Sequence, residues 1–176
     1  MFDNIREHFD THGRTFRSRA LWALCVYRFG QWSDRLRFAP ARWLSSKFYG
    51  GLTLFTPLTG VFLNRATRVG RRFHIIHPGL VYIHPDAVIG DRVGIMHEVT
   101  LGQGMNGGVP RVGNDVFIGA GAKVLGNVTI GDGSQVAANS LVIADVPPGM
   151  LAMGVPAKNY PLAQTKPSKT PASSAA

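Results

Sequence analysis

The stretch that decides the fold is Val81-Tyr82-Ile83-His84-Pro85-Asp86-Ala87-Val88-Ile89-Gly90-Asp91-Arg92-Val93-Gly94-Ile95-Met96-His97-Glu98-Val99-Thr100-Leu101-Gly102. Aliphatic residues return at every sixth place, Ile83, Ile89, Ile95 and Leu101, and the beat resumes from Val112 through Ile118, Val124, Ile130, Val136 and Val142. Helices repeat at about 3.6 residues and strands at about 2, so neither accounts for a hexad. A fixed hexad with glycine often following the aliphatic residue spells a parallel β-helix, one hexad to a face and three to a triangular turn. The sixth-place side chain is expected to point inward and to stack on its counterparts in adjacent turns at a ladder spacing of about 4.8 Å.

Two departures from the hexad matter more than the hexad. Counting back from Ile83, place 77 should be aliphatic but holds His77, and the nearest suitable side chain is Ile75. Two extra residues therefore sit within Ile75 to Tyr82, and the bulge they make contains His77. The second break lies between Leu101 and Val112, where Gln103 to Pro110 form a Gly-rich loop that must leave the wall.

Outward from the hexads the composition changes. The chain has 176 residues, 16% of them charged, and a net charge of +9. That length suits one compact domain. Many of the cations precede Arg72, in a segment that also holds all three tryptophans. No nucleic-acid-binding signature accompanies them, so solvated basic helix faces are expected and a nucleic-acid partner is not. Residues 1–62 read as a helical region, with Leu21, Leu24, Cys25, Tyr27 and Phe29 set among Arg17, Arg19 and Arg28. The apolar run Phe48 to Leu63, broken by Pro57, is too short to span a bilayer and is expected to be buried in the core, with an interfacial segment as the alternative. Residues 63–159 form the β-helix domain. Residues 160–176, rich in Pro, Ser and Ala, are expected to be a disordered tail. The single cysteine, Cys25, allows no internal disulfide, and Asp3, Glu7 and Asp10 argue against a secretory signal, so the expected location is the cytoplasm.

The chemistry is read from the bulge. Acyl transfer from a thioester to a hydroxyl needs a base, an oxyanion donor and a groove for the carrier. His77 is the best-placed base. His97 shares its hexad place one coil on, so the two should stack on one face, while His74 and His84 read as structural. The tiny residues of Ile118-Gly119-Ala120-Gly121-Ala122-Lys123 leave backbone bare for a pantetheine arm, although tight β-helix corners also favour such residues. Gly154-Val155-Pro156-Ala157-Lys158 ends the last coil with a cation where a nucleotide phosphate could rest. A metal centre on stacked histidines is the rival; no carboxylate or cysteine joins them at obvious spacing, so no metal ligand is assigned.

The run Val69 to His77, the ladder ending Val99-Thr100-Leu101-Gly102, the segment Ile118 to Asn127 and the terminal Gly154 to Lys158 resemble the serine acetyltransferase family of hexapeptide-repeat enzymes. The resemblance covers about residues 69–158 and implies a mainly β, left-handed β-helix with a short N-terminal helical region. It implies acetyl-CoA as co-substrate, homotrimers or dimers of trimers, a coenzyme A cleft between subunits, and direct acetyl transfer with His77 as base. His97 is the second candidate catalytic residue, and the expected coenzyme A contacts are Gly102, Arg111, Ala120, Gly121, Ala138 and Lys158. Serine-specific members carry aspartates where this chain has Ile76 and Phe62, and an Arg-His pair in a loop that here, from Gly102 to Arg111, is shorter and lacks the histidine. With Leu21-Trp22-Ala23-Leu24 and Tyr27-Arg28-Phe29, the chain looks more like the branch that acetylates sugars in exopolysaccharide or colanic-acid synthesis. A sugar hydroxyl is the expected acceptor and serine the alternative. Peripheral association with the inner membrane face would follow from the basic aromatic N-terminus. A metal-dependent or non-catalytic β-helix protein is the remaining alternative.

Overall fold

The computed structural model describes Glu7 and residues 18–162. Of the tail expected to be disordered from residue 160, Tyr160 and Pro161 are instead strand residues paired with Leu151 and Met150, and residues 163–176, like the helical reading of residues 1–6 and 8–17, lie outside the described residues. Helix α1 (Arg19–Asp34) and helix α2 (Ala39–Thr53) lead through a 3-10 turn (Thr56–Thr59) into short strands that stack as three parallel sheets. The first sheet contains β1 (Val61–Leu63), β4 (Val81–Ile83), β7 (Thr100–Gly102), β10 (Lys123–Leu125) and β13 (Leu141–Val142). The second contains β2 (Arg68–Val69), β5 (Val88–Ile89), β8 (Arg111–Val112) and β11 (Thr129–Ile130). The third contains β3 (His74–Ile75), β6 (Gly94–Ile95), β9 (Phe117–Ile118), β12 (Gln135–Val136), β14 (Met150–Gly154) and β15 (Ala157–Pro161). The chain visits the sheets in rotation, which makes the expected parallel β-helix. β15 runs antiparallel to β14, so Gly154 to Lys158 turns back as a hairpin instead of continuing the coil.

The hexad aliphatics from Ile75 to Val142 are all buried, as the sequence requires. The expectation of one inward side chain per hexad needs correction. Val81, Ala87, Val93, Val99, Val116, Ala122 and Val128, two places before each hexad aliphatic, are equally buried, because the tight corner turns them inward too. In the upper coils serines take this row and are satisfied locally. Ser134 Oγ donates to the Pro147 carbonyl at 2.8 Å, and Ser140 Oγ accepts from the Gly154 amide at 3.1 Å.

Helix α1 closes the lower end. β2 is an edge strand whose carbonyls lack a preceding coil, and an edge needs other partners. The helix supplies them. Tyr27 Oη donates to the Thr67 carbonyl at 2.7 Å, and Arg28 donates to the carbonyls of Val69 at 3.3 Å and Gly70 at 2.9 Å. Arg28, read from the sequence as part of a solvated basic face, is instead buried. Ala20, Ala23, Leu24 and Tyr27 pack with Phe73 and Val69 in the same core.

Helix α2 reverses the remaining expectation. The Phe48 to Leu63 segment was expected in the core, yet no residue of α2 is buried, and Phe48, Leu54, Phe55 and Leu58 are each more than 60% exposed. Its small polar face packs inward: Ser45 meets Ser33 at 2.7 Å, and Ser46 accepts from Arg65 at 3.2 Å.

Candidate active site

The register locates the bulge. Pairing advances by 20 residues from Val69 to Ile89 and from Ile75 to Ile95, but by 18 from Tyr82 to Thr100. The wider step still holds at Ile76, whose amide donates to the Ile95 carbonyl at 2.9 Å. By Gly79 it has ended, since the Glu98 amide donates to the Gly79 carbonyl at 2.7 Å. His77 and Pro78 are therefore the two extra residues. On the ladder Gly79, not His77, lies over His97, and a Cβ on Gly79 would stand 3.6 Å from that of His97. The missing side chain leaves His77 room to stand beside His97. Their ring centroids are 6.3 Å apart with planes at 55°, a little more than one ladder spacing, as the one-coil stacking required. His77 is exposed and His97 half-buried.

The corner continues upward in the same column. Gly121 donates its amide to the His97 carbonyl at 3.0 Å, and Asn139 donates to the Ala120 carbonyl at 2.8 Å. Leu80, Glu98, Gly121 and Asn139 all take left-handed backbone here, φ between 51° and 72°. Only at Gly121 is that conformation free of steric cost, and a Cβ there would also collide with Asn139 Oδ1 at 2.1 Å. Coil packing and the positive φ thus favour glycine at this place, although the Asn139 side chain could swing aside. The same packing leaves Ala120 and Ala138 as a smooth wall above the histidine pair.

The six expected coenzyme A contacts do not gather at one place within a single chain. Ala120, Gly121 and Ala138 share the histidine corner, and Lys158, exposed on β15, belongs to the hairpin that extends the same sheet. Gly102, buried at the end of β7, and Arg111, exposed on β8, flank the loop at the next corner. There Gln103 to Gly107 rise over Leu125 to Val128, Leu141 and Ile143 and enclose about 620 Å³. Sequence reading saw the loop but not this apolar hollow, because Leu125, Leu141 and Ile143 lie off the hexad beat.

The other two histidines among the described residues have ordinary roles. His84 Nδ1 accepts from the Asp86 amide at 3.2 Å, closing the turn after β4, and His74 is a strand residue of β3. Among the described residues no three His, Cys, Asp or Glu side chains gather as a metal-binding set. A two-bond charge pair lies at a different corner, where Arg92 grips Asp115 one coil above through two bonds of 2.6 Å. The hydrogen bonds from Arg92 hold the Asp115 carboxyl below the usual aspartate range.

Residues 110–144 match the family model described as bacterial transferase hexapeptide (six repeats). Over 113 residues the chain is 46% identical to serine acetyltransferase of Mycobacterium tuberculosis, a match covering 62% of this chain and 49% of that protein. Serine acetyltransferase from Brucella abortus, solved in complex with coenzyme A, superposes with a TM-score of 0.72 at 26% identity over 90% of this chain and 65% of that one. Soybean serine acetyltransferase complexed with serine gives 0.72 at 28% identity over 90% and 68%. The chain spans about half the length of the curated relatives it matches.

Proposed function

We propose that the chain is an acetyl-CoA-dependent O-acetyltransferase in which His77 accepts the proton of the acceptor's hydroxyl. The observation that carries this reading is the slip of register at His77 and Pro78, which stands an imidazole out beside His97 at the foot of the Ala120 and Ala138 wall. Imidazole titrates near neutrality and suits a base that must give the proton back. The hydroxyl oxygen attacks the acetyl carbonyl as His77 takes the proton. The tetrahedral oxyanion collapses, the carbon–sulfur bond breaks, and the imidazolium protonates the departing thiolate. Acetyl thereby passes in one displacement, without an acyl-enzyme. His97 would orient the His77 ring.

Ala120, Gly121 and Ala138 would floor the carrier groove, and Lys158 would meet a nucleotide phosphate. Gly102 and Arg111 act from the next corner, so a complete groove needs the loop of a neighbouring copy. A homotrimer, single or paired, supplies that arrangement.

As acceptor, serine is the better supported by similarity, since the relatives are named serine acetyltransferases and one solved neighbour holds serine. This reverses the ranking drawn from the sequence. The sugar reading keeps one specific observation: Phe62 and Ile76, an exposed aromatic and a half-buried aliphatic, stand where the serine-specific pattern has aspartates. An amino acid's ammonium group needs anionic partners, whereas a sugar ring stacks on aromatic faces. On that second reading the acceptor is a lipid-linked exopolysaccharide precursor. Thiol release from acetyl-CoA, followed with serine and separately with sugar-bearing precursors, decides between them. Serine-dependent release is expected, lost on His77→Ala with the oligomer intact. A response to sugar alone would transfer the acceptor to the glycan, and near-normal turnover in the variant would remove His77 from the mechanism.

A further inference from the structure

Helix α2 is amphipathic the wrong way round for a helix packed on its own core. Trp43, Leu44, Phe48, Leu54, Phe55 and Leu58 follow one another at helical spacing and are 61–78% exposed, while Ser45, Ser46 and Thr53 face the protein. Apolar side chains arranged on one continuous face mark a surface that meets an apolar medium. Phe29 on α1 joins the patch, edge-on to Phe48 at 5.6 Å.

Charge says what that medium is. From Arg35 to Pro85 there is no Asp or Glu, whereas Arg35, Arg37, Arg42, Lys47, Arg65, Arg68, Arg71 and Arg72 are all cationic. Arg37, Arg42 and Lys47 are exposed, and the Lys47 ammonium lies over the Trp43 ring at 5.8 Å. A second copy would set like charge against like in a self-complementary contact. An anionic bilayer surface complements it: its headgroups take the cations, and its outer acyl layer takes the tryptophan and phenylalanine rings. No described helix is long and apolar enough to cross a membrane, so such binding would lie in the surface plane.

We propose that the outward face of α2, with the 3-10 turn after it, is a docking surface for anionic lipid bilayers. The inference goes beyond the reading of the His77 corner and is independent of which acceptor the enzyme takes.

The test is co-sedimentation of the full chain with phosphatidylcholine vesicles, pure and doped with phosphatidylglycerol. Binding is expected to the doped vesicles, weakening as salt rises. Each cation near such a surface is worth roughly 1 kcal/mol, so R37E/R42E/K47E should lower the partition by at least about tenfold. W43S/F48S should do the same, with melting temperature and thiol release from acetyl-CoA unchanged in both. Equal binding to neutral and doped vesicles, or no binding at all, overturns the proposal. So does a W43S/F48S protein that sediments as a smaller oligomer yet still binds vesicles, which would assign the stripe to a contact between copies.

Discussion

The β-helix wall and helix α2 carry similar apolar side chains and treat them in opposite ways. Along the wall, every residue on the hexad beat from Ile75 to Val142 is buried, and the slip of register is confined to His77 and Pro78. Along α2, the apolar residues face out and the serines face in. A wall residue finds its neighbours one coil away in the same chain, so its period fixes both structure and direction. A helix has an apolar face by period alone, and what covers that face is decided by partners its own sequence does not contain.

The contrast can be broken at several points, with effects that diminish in turn. Deleting His77 and Pro78 together would restore the 18-residue step. The wall should persist, with circular dichroism and melting near those of the parent, while thiol release falls by about a thousandfold, within the usual contribution of a general base. A collapsed fold would mean the bulge is structural. Ile95→Ala removes a fully buried rung and should cost about 2–5 kcal/mol in denaturant unfolding. Tyr27→Phe removes the hydroxyl that serves the Thr67 carbonyl and should cost about 1–2 kcal/mol.

Tyr27 also predicts a pH dependence. Burial pushes its hydroxyl up to about 12 from an ordinary 10.0, so the folded state favours the protonated phenol. Its contribution is whole below the ordinary tyrosine value and is lost as pH rises through about 12. Melting temperatures of the parent should therefore drop across that window more steeply than those of Tyr27→Phe. Smallest of all, Leu44→Ser on α2 should change stability by no more than about 0.5 kcal/mol, since the side chain is 65% exposed. A loss as large as that of Ile95→Ala would show the stripe buried in the working assembly and erase the contrast.

The coil, its sixfold beat and the slip at residue 77 were legible because each is a local count along the chain. The second inward row was missed because Val81, Val93 and Val99 owe their burial to corner geometry, which a single-period reading does not contain. The histidine pair was found from equal spacing within the hexads. Its actual arrangement, with Gly79 lying over His97 and His77 displaced beside it, needed hydrogen-bond register. The direction of α2 and the role of Arg28 were not legible, since each depends on what sits opposite in space. The hollow beneath the Gln103 to Gly107 loop escaped for the same reason.

The way Arg28 and Tyr27 occupy the carbonyls of Thr67, Val69 and Gly70 has a consequence for assembly. A stack of parallel rungs with a bare terminus is a template on which another molecule's rungs could continue indefinitely, as fibres do. Here the first rung is spent on a helix, and at the opposite terminus the last coil is met by an antiparallel strand, β15, that breaks the repeat. Continuation of the parallel ladder from one chain into the next is thus opposed at β2 by the helix and at β14 by the antiparallel strand.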